Sequence, residues 1–162
     1  MRHVLLTAAF AAAATLSALA HADDDHDNNS RLSVTVSFGA GLNTAQPGNA
    51  ANHHVLPKRI RVKAGGVVNF AVAGFHNIFI YQPGKTPEQV VVPTGSPPPL
   101  FINDLDRIYY QGIAPAPPST SPLANPQNRI ESVSFAEKGT YLVICNVRPH
   151  FLDGMWAWII VD

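Results

Sequence analysis

The stretch from Phe135 to Val161 reads FAEKGTYLVICNVRPHFLDGMWAWIIV. Near its start a Lys-Gly pair signals a turn, after which Tyr141, Val143 and Cys145 occupy alternate positions of a predicted strand. Side chains two residues apart lie on the same face of a strand. A second apolar run begins at Met155. The stretch therefore predicts two strands joined by a short connection, residues 146–154.

Three residues of metal-binding type are spaced regularly across this connection, as Cys145, His150 and Met155 in a Cys-x4-His-x4-Met pattern. A short loop between two adjacent strands can turn a thiolate, an imidazole and a thioether toward one point. A second histidine, His76, lies on a predicted strand upstream. Two imidazoles and a thiolate in a trigonal set, with a weak axial thioether, are the ligands of a blue-copper site. The pattern therefore predicts one type 1 copper held by these four residues.

Each of these residues also has a structural interpretation when it is taken alone. Cys145 would then be a buried, inert thiol, His76 a histidine satisfied within the core, and Met155 a core side chain. Zinc is an alternative metal for a Cys-His-His set, although a thioether contributes little to zinc binding. The order and spacing of the residues, taken together, favour copper.

The rest of the chain is patterned as short strands separated by turns. It contains 14 prolines and 11 glycines, which disfavour long helices, and no repeat of fixed period. Seven or eight strands with frequent turn signals predict an all-β fold, an antiparallel Greek-key β-sandwich. Besides the two strands above, the predicted strands are Leu32–Phe38, Ile60–Val62, Val67–Ala73, Phe75–Tyr81, Gln89–Val92 and Val133–Phe135.

Prolines crowd the segment from residue 93 to residue 126, most densely at 97–99 and 115–118. Proline cannot donate to a sheet ladder, so this segment is predicted to be an insert outside the central sheet. Within it, residues 101–111 are apolar enough to pack on the body of the domain, as a short helix or an edge strand.

The N-terminal residues 1–22 have the three parts of a secretory signal peptide. A basic start is followed by an apolar run rich in Ala and Leu and by the small-x-small cleavage site Ala20-His21-Ala22. An uncleaved membrane anchor is the alternative, but the apolar run is short for a span. We therefore expect a periplasmic or secreted protein without a membrane span, with an acidic flexible tail at 23–30 and a single domain at 31–162.

Composition excludes several classes of protein. The chain carries 11 Lys and Arg against 11 Asp and Glu and has no basic run, which argues against nucleic acid as a partner. Its single cysteine excludes an intrachain disulfide, a Cys-x-x-Cys redox pair, and zinc or iron–sulfur sites with several cysteines. A binuclear copper centre would also need a second cysteine.

From about residue 57 to its C-terminus, the sequence resembles the cupredoxins, the family of mononuclear blue copper proteins. The similarity is carried by Gly74-Phe-His-Asn-Ile78 and by the Phe…Gly-x-Tyr…Cys approach to the copper loop, which ends at Cys145. Residues 60–70 are similar to the family's second and third strands. The two x4 spacings resemble the ligand loops of rusticyanin-like and auracyanin-like members.

The resemblance implies a thiolate ligand from Cys145 and equatorial nitrogen ligands from His76 and His150. It implies an axial sulfur ligand from Met155. By the same resemblance, Asn77 ties the ligand loops together, and such outer contacts orient the ligands and tune the metal. His150 would lie near the surface within an apolar patch, where redox partners dock.

Multicopper oxidases place histidines on both sides of the cysteine ligand, whereas here the neighbours are Ile144 and Asn146. The resemblance therefore implies a monomeric electron carrier with one copper rather than an enzyme, docking with redox protein partners near His150. The alternative is a periplasmic copper-binding protein for copper storage, delivery or resistance. Loop histidines such as His53 and His54 would then be accessory ligands; otherwise we expect them to be solvated.

Overall fold

The structure is a computed structural model of the chain and describes residues 31–39, 52–115 and 127–162. The predicted signal peptide and acidic tail lie outside these residues, as does the part of the predicted insert from 116 to 126. Within the described residues, no helix is long and apolar enough to cross a membrane.

The described residues form eight β-strands, one short α-helix and a 3-10 helix at Pro87–Gln89. The predicted all-β class is therefore confirmed. The strands are β1 (Arg31–Gly39), β2 (Val55–Leu56), β3 (Arg59–Ala73), β4 (Ile78–Tyr81), β5 (Ile108–Gln111), β6 (Arg129–Phe135), β7 (Gly139–Cys145) and β8 (Trp156–Val161), and the helix is α1 (Arg148–Leu152).

Strand β3 runs through both layers of the fold. Its first part pairs with β8, and its second part pairs with β1 and β6. Between the two parts Gly65 has a φ of +81°, a conformation that glycine adopts without strain. The sequence predicted two strands separated by a turn here. The structure has one bent strand, because Ala64 still donates to the Asp162 carbonyl and Gly66 already pairs with Phe135.

The eight strands form one mixed sheet that folds at β3 into two layers. The first layer has the order β2-β1-β3-β6, and the second has the order β3-β8-β7-β4-β5. β1 and β3 run parallel, as do β3 and β8, so the predicted sandwich is confirmed but is not wholly antiparallel. β2 pairs antiparallel with the end of β1, so the chain runs back toward the start of β1 before β3 begins, as parallel neighbours require.

The main core lies between the two layers and follows the predicted alternation. Along β6, side chains alternate between the buried core and the exposed face. Phe38 and Phe70 meet edge to face in this core, with ring centroids 6.1 Å apart. Cys145, at the end of β7, and Met155, just before β8, belong to the same core and are fully buried. The core therefore holds both predicted sulfur donors away from water.

A second core covers the outer face of β4 and β7. Phe79, Leu142 and Ile144 face outward there and are buried in a cluster with Val90 and Ile102, which follow β4 in the chain. Of the two alternatives predicted for residues 101–111, a short helix or an edge strand, the structure has the edge strand, because β5 pairs with β4 at the edge of the sheet. The proline-rich segment thus contributes apolar cover to the layer that carries Cys145.

The predicted strand at Gln89–Val92 is wrong. Pro87 starts the 3-10 helix, and Gln89 Oε1 accepts a hydrogen bond from the Thr86 N–H at 3.0 Å. Beyond the helix, the Val91 N–H donates to Asp104 Oδ2 at 2.9 Å. A side-chain carboxylate therefore takes the backbone donor that a ladder would have used, and the segment crosses the outer core without joining the sheet.

Candidate metal centre

Three donor side chains converge where two strand ends and a short helix meet. Cys145 is the last residue of β7, His150 lies in α1, and His76 lies in the turn between β3 and β4. The Nδ1 atoms of the two histidines are 3.0 Å apart, and each lies 3.7 Å from Cys145 Sγ. Among the described residues, His76, Cys145 and His150 are the cluster of three or more His, Cys, Asp or Glu side chains that could hold a metal ion.

The three distances fit the size of a metal ion. A triangle with sides of 3.0, 3.7 and 3.7 Å has a circumradius of about 2.0 Å, close to the usual metal–imidazole distance of about 2.0 Å. The donor types are two imidazole nitrogens and one thiol sulfur, and the thioether of Met155 is buried in the same core. This set is consistent with one type 1 copper.

The helix α1 carries His150 back toward Cys145. It starts at Arg148 with a proline in its first turn, where the missing N–H costs nothing. The Phe151 N–H donates to the Val147 carbonyl at 3.1 Å and closes the turn. This helical turn brings His150 close to Cys145, five residues earlier in the chain, so the local sequence alone positions these two donors.

Met155 is tied to both ends of the ligand loop through its backbone. Its N–H donates to the His150 carbonyl at 3.0 Å, and its carbonyl accepts the Cys145 N–H at 2.9 Å. Gly154 makes the turn before it with a φ of +85°. The loop therefore returns to its starting point, and two backbone hydrogen bonds hold Met155 next to Cys145 and His150.

His76 lies in a turn rather than on the predicted strand, because β4 begins only at Ile78. Gly74, with a φ of +104°, reverses the chain, and its carbonyl accepts the His76 N–H at 2.9 Å. Gly39 packs against the imidazole so closely that an added Cβ would lie 2.4 Å from His76 Nε2. No pattern in the sequence points to Gly39, which only the pairing of β1 with β3 brings to the site.

Burial sets the protonation of all three donors. It raises the pKa of the Cys145 thiol to about 12, although N–H groups of Asn77 and Val147 donate to the sulfur and oppose this shift. Burial lowers the pKa of His76 to about 3 and that of His150 to about 4, with smaller contributions from neighbouring histidines. At neutral pH the metal-free site therefore contains a thiol and two neutral imidazoles, and imidazole binds metals in its neutral form.

We expect Cu(II) binding near pH 7 to release one proton per copper, because Cys145 must become a thiolate to bind. The apparent affinity should rise about tenfold per pH unit above about pH 4. Below it the dependence should steepen, since His150 and then His76 also take up protons. A titration of the purified protein in weakly buffered solution, followed with a pH electrode, measures this release. Equal release from wild type and Cys145→Ser would contradict the prediction.

Asn77 ties the ligand loops together through its backbone. Its carbonyl accepts the Asn146 N–H at 3.0 Å, and its own N–H donates to Cys145 Sγ. The side-chain Oδ1 atoms of Asn77 and Asn146 are buried and have no hydrogen-bond partner among the described residues. The predicted link between the two loops is therefore present, and main-chain groups make it.

His53 lies against the cluster, so the prediction that it is solvated is wrong. Its ring stacks on that of His150 with centroids 3.8 Å apart, and its Nδ1 lies 2.6 Å from Asp153 Oδ2. His54, the next residue, is exposed as expected. No sequence signal distinguishes these two histidines, because the contact joins residues about 100 positions apart.

A buried ion pair supports the His76 turn. Arg129 donates to the His76 carbonyl at 3.1 Å and to Glu131 Oε1 at 2.6 Å. Glu131 also accepts the Tyr110 hydroxyl at 2.9 Å. The two charged side chains are only 7% and 1% exposed. No pattern in the sequence indicates this buried pair, since charged residues on a strand usually face water.

Comparison with known proteins gives structural relatives only. No known family profile and no curated protein matches the sequence. The fold is similar to reduced auracyanin from Roseiflexus castenholzii, with 17% identity, 82% of this chain and 98% of that chain covered, and a TM-score of 0.48. It is also similar to auracyanin A, a "blue" copper protein from Chloroflexus aurantiacus, with 19% identity and a TM-score of 0.42, over 80% of this chain and 99% of that chain.

A pseudoazurin from Hyphomicrobium denitrificans is also similar, at 17% identity with a TM-score of 0.44, over 80% of this chain and 75% of that chain. The resemblance to the cupredoxins is confirmed in the two features that the structure itself displays. These features are the β-sandwich and the convergence of His76, Cys145 and His150 on one point.

Proposed function

We propose that this chain is an exported type 1 copper protein that carries single electrons between redox partners. The observation that supports this function best is the triangle of two imidazole nitrogens and one sulfur, with sides of 3.0, 3.7 and 3.7 Å. His76, Cys145 and His150 would be the in-plane ligands, and Met155 the weak axial ligand. When bound, copper would supply reversible one-electron chemistry between Cu(II) and Cu(I).

The chain's own contribution is a rigid set of donors. Hydrogen bonds from Cys145 to Met155 and from Asn146 to Asn77 join the strand end, the ligand loop and the first histidine turn. Thiolate and thioether sulfur suit Cu(I), whereas imidazole suits copper in both oxidation states. Donors that keep their positions in both states favour fast electron transfer, because little of the protein has to move.

His150 is the proposed point of contact with redox partners. Cys145, His76 and Met155 are buried, whereas His150 is half-buried and lies two residues before the exposed Leu152. Leu100, whose carbonyl accepts the Arg148 N–H, is also exposed. An imidazole at the surface beside apolar side chains provides a short route for an electron into a docked protein. With all four donors used for the metal, no position remains for a substrate, so we propose that the chain is not an enzyme.

The absorption spectrum of the purified mature protein tests the proposal. After loading with Cu(II), we expect an intense blue or green band that ascorbate bleaches and mild oxidation restores. A colourless protein, or the faint band of ordinary Cu(II), would contradict a type 1 site. Rapid release of Cu(I) to a chelator would instead favour a function in copper storage or delivery. Cleavage after residue 22, read by N-terminal sequencing of protein from the producing cell, tests export.

Met155→Leu should keep copper bound and raise the reduction potential. Leucine has a similar volume, so packing changes little. The substitution removes a weak donor to Cu(II), so the oxidised form loses stability relative to Cu(I). Spectroelectrochemistry gives the potential of each variant. Ile60→Leu, a buried substitution of similar size elsewhere in the core, is the matched control. A potential unchanged in Met155→Leu would show that Met155 is not an axial ligand.

A further inference from the structure

The segment of residues 53–58 braces the ligand loop from the opposite layer. At one end of this segment, His53 Nδ1 lies 2.6 Å from Asp153 Oδ2. At the other end, Lys58 Nζ donates to the Gly154 carbonyl at 2.7 Å and to the Trp156 carbonyl at 2.8 Å. The segment therefore touches the loop just after the helix that carries His150 and again on both sides of Met155.

The segment is itself fixed to the first layer. Val55 pairs with Phe38 in the β1–β2 ladder, and the His54 carbonyl accepts the Gly39 N–H at 2.8 Å. Val55 and Phe38 are fully buried in the main core. Contacts made by His53 therefore connect a ligand loop on the second layer to a rigid part of the first.

His53 covers one face of the His150 ring. The two rings are 3.8 Å apart and inclined by 23°, and His53 also meets His76 edge-on at 6.0 Å. The His53 side chain is only 15% exposed. The His150 imidazole is thus held between His53 on one side and the Cys145–His76 pair on the other.

The contacts of His53 argue against a role as a ligand. Its Nδ1 is engaged by Asp153, and the donor atoms that lie within 4.8 Å of one another belong to His76, Cys145 and His150. Asp153 is in turn held at the end of α1, where its N–H donates to the Pro149 carbonyl at 3.0 Å. Asp153 therefore fixes the ring of His53 in the plane that stacks on His150.

We infer that His53 is a positioning residue that holds the His150 ring in its metal-binding orientation by stacking, with Asp153 as its anchor. The expected effect of His53 on copper affinity rests on the proposed function. The stacking of His53 on His150 does not, because it joins two protein side chains and is present without metal. Outer contacts that orient a ligand typically change metal affinity by about 10-fold to 100-fold when they are removed.

The first test uses NMR of the metal-free mature protein. Stacking shields ring protons, so the carbon-bound ring protons of His150 should move downfield in His53→Ala. They should stay near their wild-type positions in His53→Phe, which keeps an aromatic ring. His54→Ala, a change of the same type at the exposed neighbour, should leave them unchanged. If these protons kept their wild-type chemical shifts in His53→Ala, the inference would be overturned, whether or not the copper-loaded protein is blue.

The second test measures copper affinity by competition with a Cu(I) chelator. His53→Ala should bind about tenfold more weakly than wild type, and His53→Phe should recover most of the loss, since stacking alone is restored. His54→Ala should bind like wild type. Equal affinity in His53→Ala and His54→Ala would overturn the positioning role. If the wild type is not blue but the ring protons still move as expected, the proposed function fails and the stack remains.

Discussion

Cys145→Ser should lose essentially all of the intense visible absorption of the copper-loaded protein while the β-sandwich stays folded. The band requires a thiolate bound to Cu(II), and a serine hydroxyl is neither ionised at neutral pH nor a soft donor. The replacement is close in size and sits at a fully buried position. N–H groups of Asn77 and Val147 point at this atom and can donate to the new oxygen. The expected loss of stability is therefore modest, about 1–3 kcal/mol.

Absorption and circular dichroism of the same samples separate loss of colour from loss of fold. Val143→Thr is the matched control, because it places a hydroxyl at the neighbouring inward position of β7, which is also fully buried. We expect this control to remain blue. A Cys145→Ser protein that kept an intense blue band would exclude Cys145 as the copper ligand. A Val143→Thr protein without colour would show that any buried hydroxyl on this strand disrupts the site.

Arg129→Met should give the largest loss of stability among the substitutions considered, about 3–5 kcal/mol, because it leaves the Glu131 carboxylate buried without its charged partner. The Glu131 side chain is 1% exposed, so water cannot take the place of the guanidinium. The same change removes the donor to the His76 carbonyl at 3.1 Å. Denaturant unfolding of the metal-free protein, followed by circular dichroism, measures the free energy of unfolding.

Two further variants isolate the effect of burial. Arg61 pairs with Asp162 at 3.1 Å, but these side chains are 49% and 42% exposed. Arg61→Met should therefore cost less than about 1 kcal/mol. The double variant Arg129→Met with Glu131→Leu should recover much of the loss, since it removes both charges together. A similar cost for Arg129→Met and Arg61→Met would mean that water reaches the Glu131 carboxylate when the guanidinium is removed.

Some features of the fold follow from local pattern alone. The alternation along β6 predicts which of its side chains enter the core, and the structure confirms that Phe135 is buried. This works because a strand with one exposed face must place every second side chain inward. On β7 the inward Cys145 is buried as well, but the second core also buries the outward-facing Leu142 and Ile144. The half of the site formed by Cys145 and His150 also follows from local sequence, because a short connection between two adjacent strands keeps these two side chains close together.

Other features depend on which strands become neighbours. The parallel pairing of β1 with β3 and of β3 with β8 is not encoded in any short stretch, since it depends on how a long connection returns. The error at Gln89–Val92 has a related cause. A β-branched run there is compatible with a strand, but a carboxylate from Asp104 takes the donor at Val91.

The sequence by itself determined the chemistry of this protein: one thiol, one thioether and two imidazoles in an order that suits copper. Residue type and short spacing carry that information, because the ligand loop is local and closes on itself. Only the tertiary structure decided what surrounds those donors. Gly39 beside His76, Arg129 beneath its carbonyl and His53 over His150 come from distant parts of the chain. Packing of the two layers brings them together, and packing between distant segments leaves no periodic trace in the sequence.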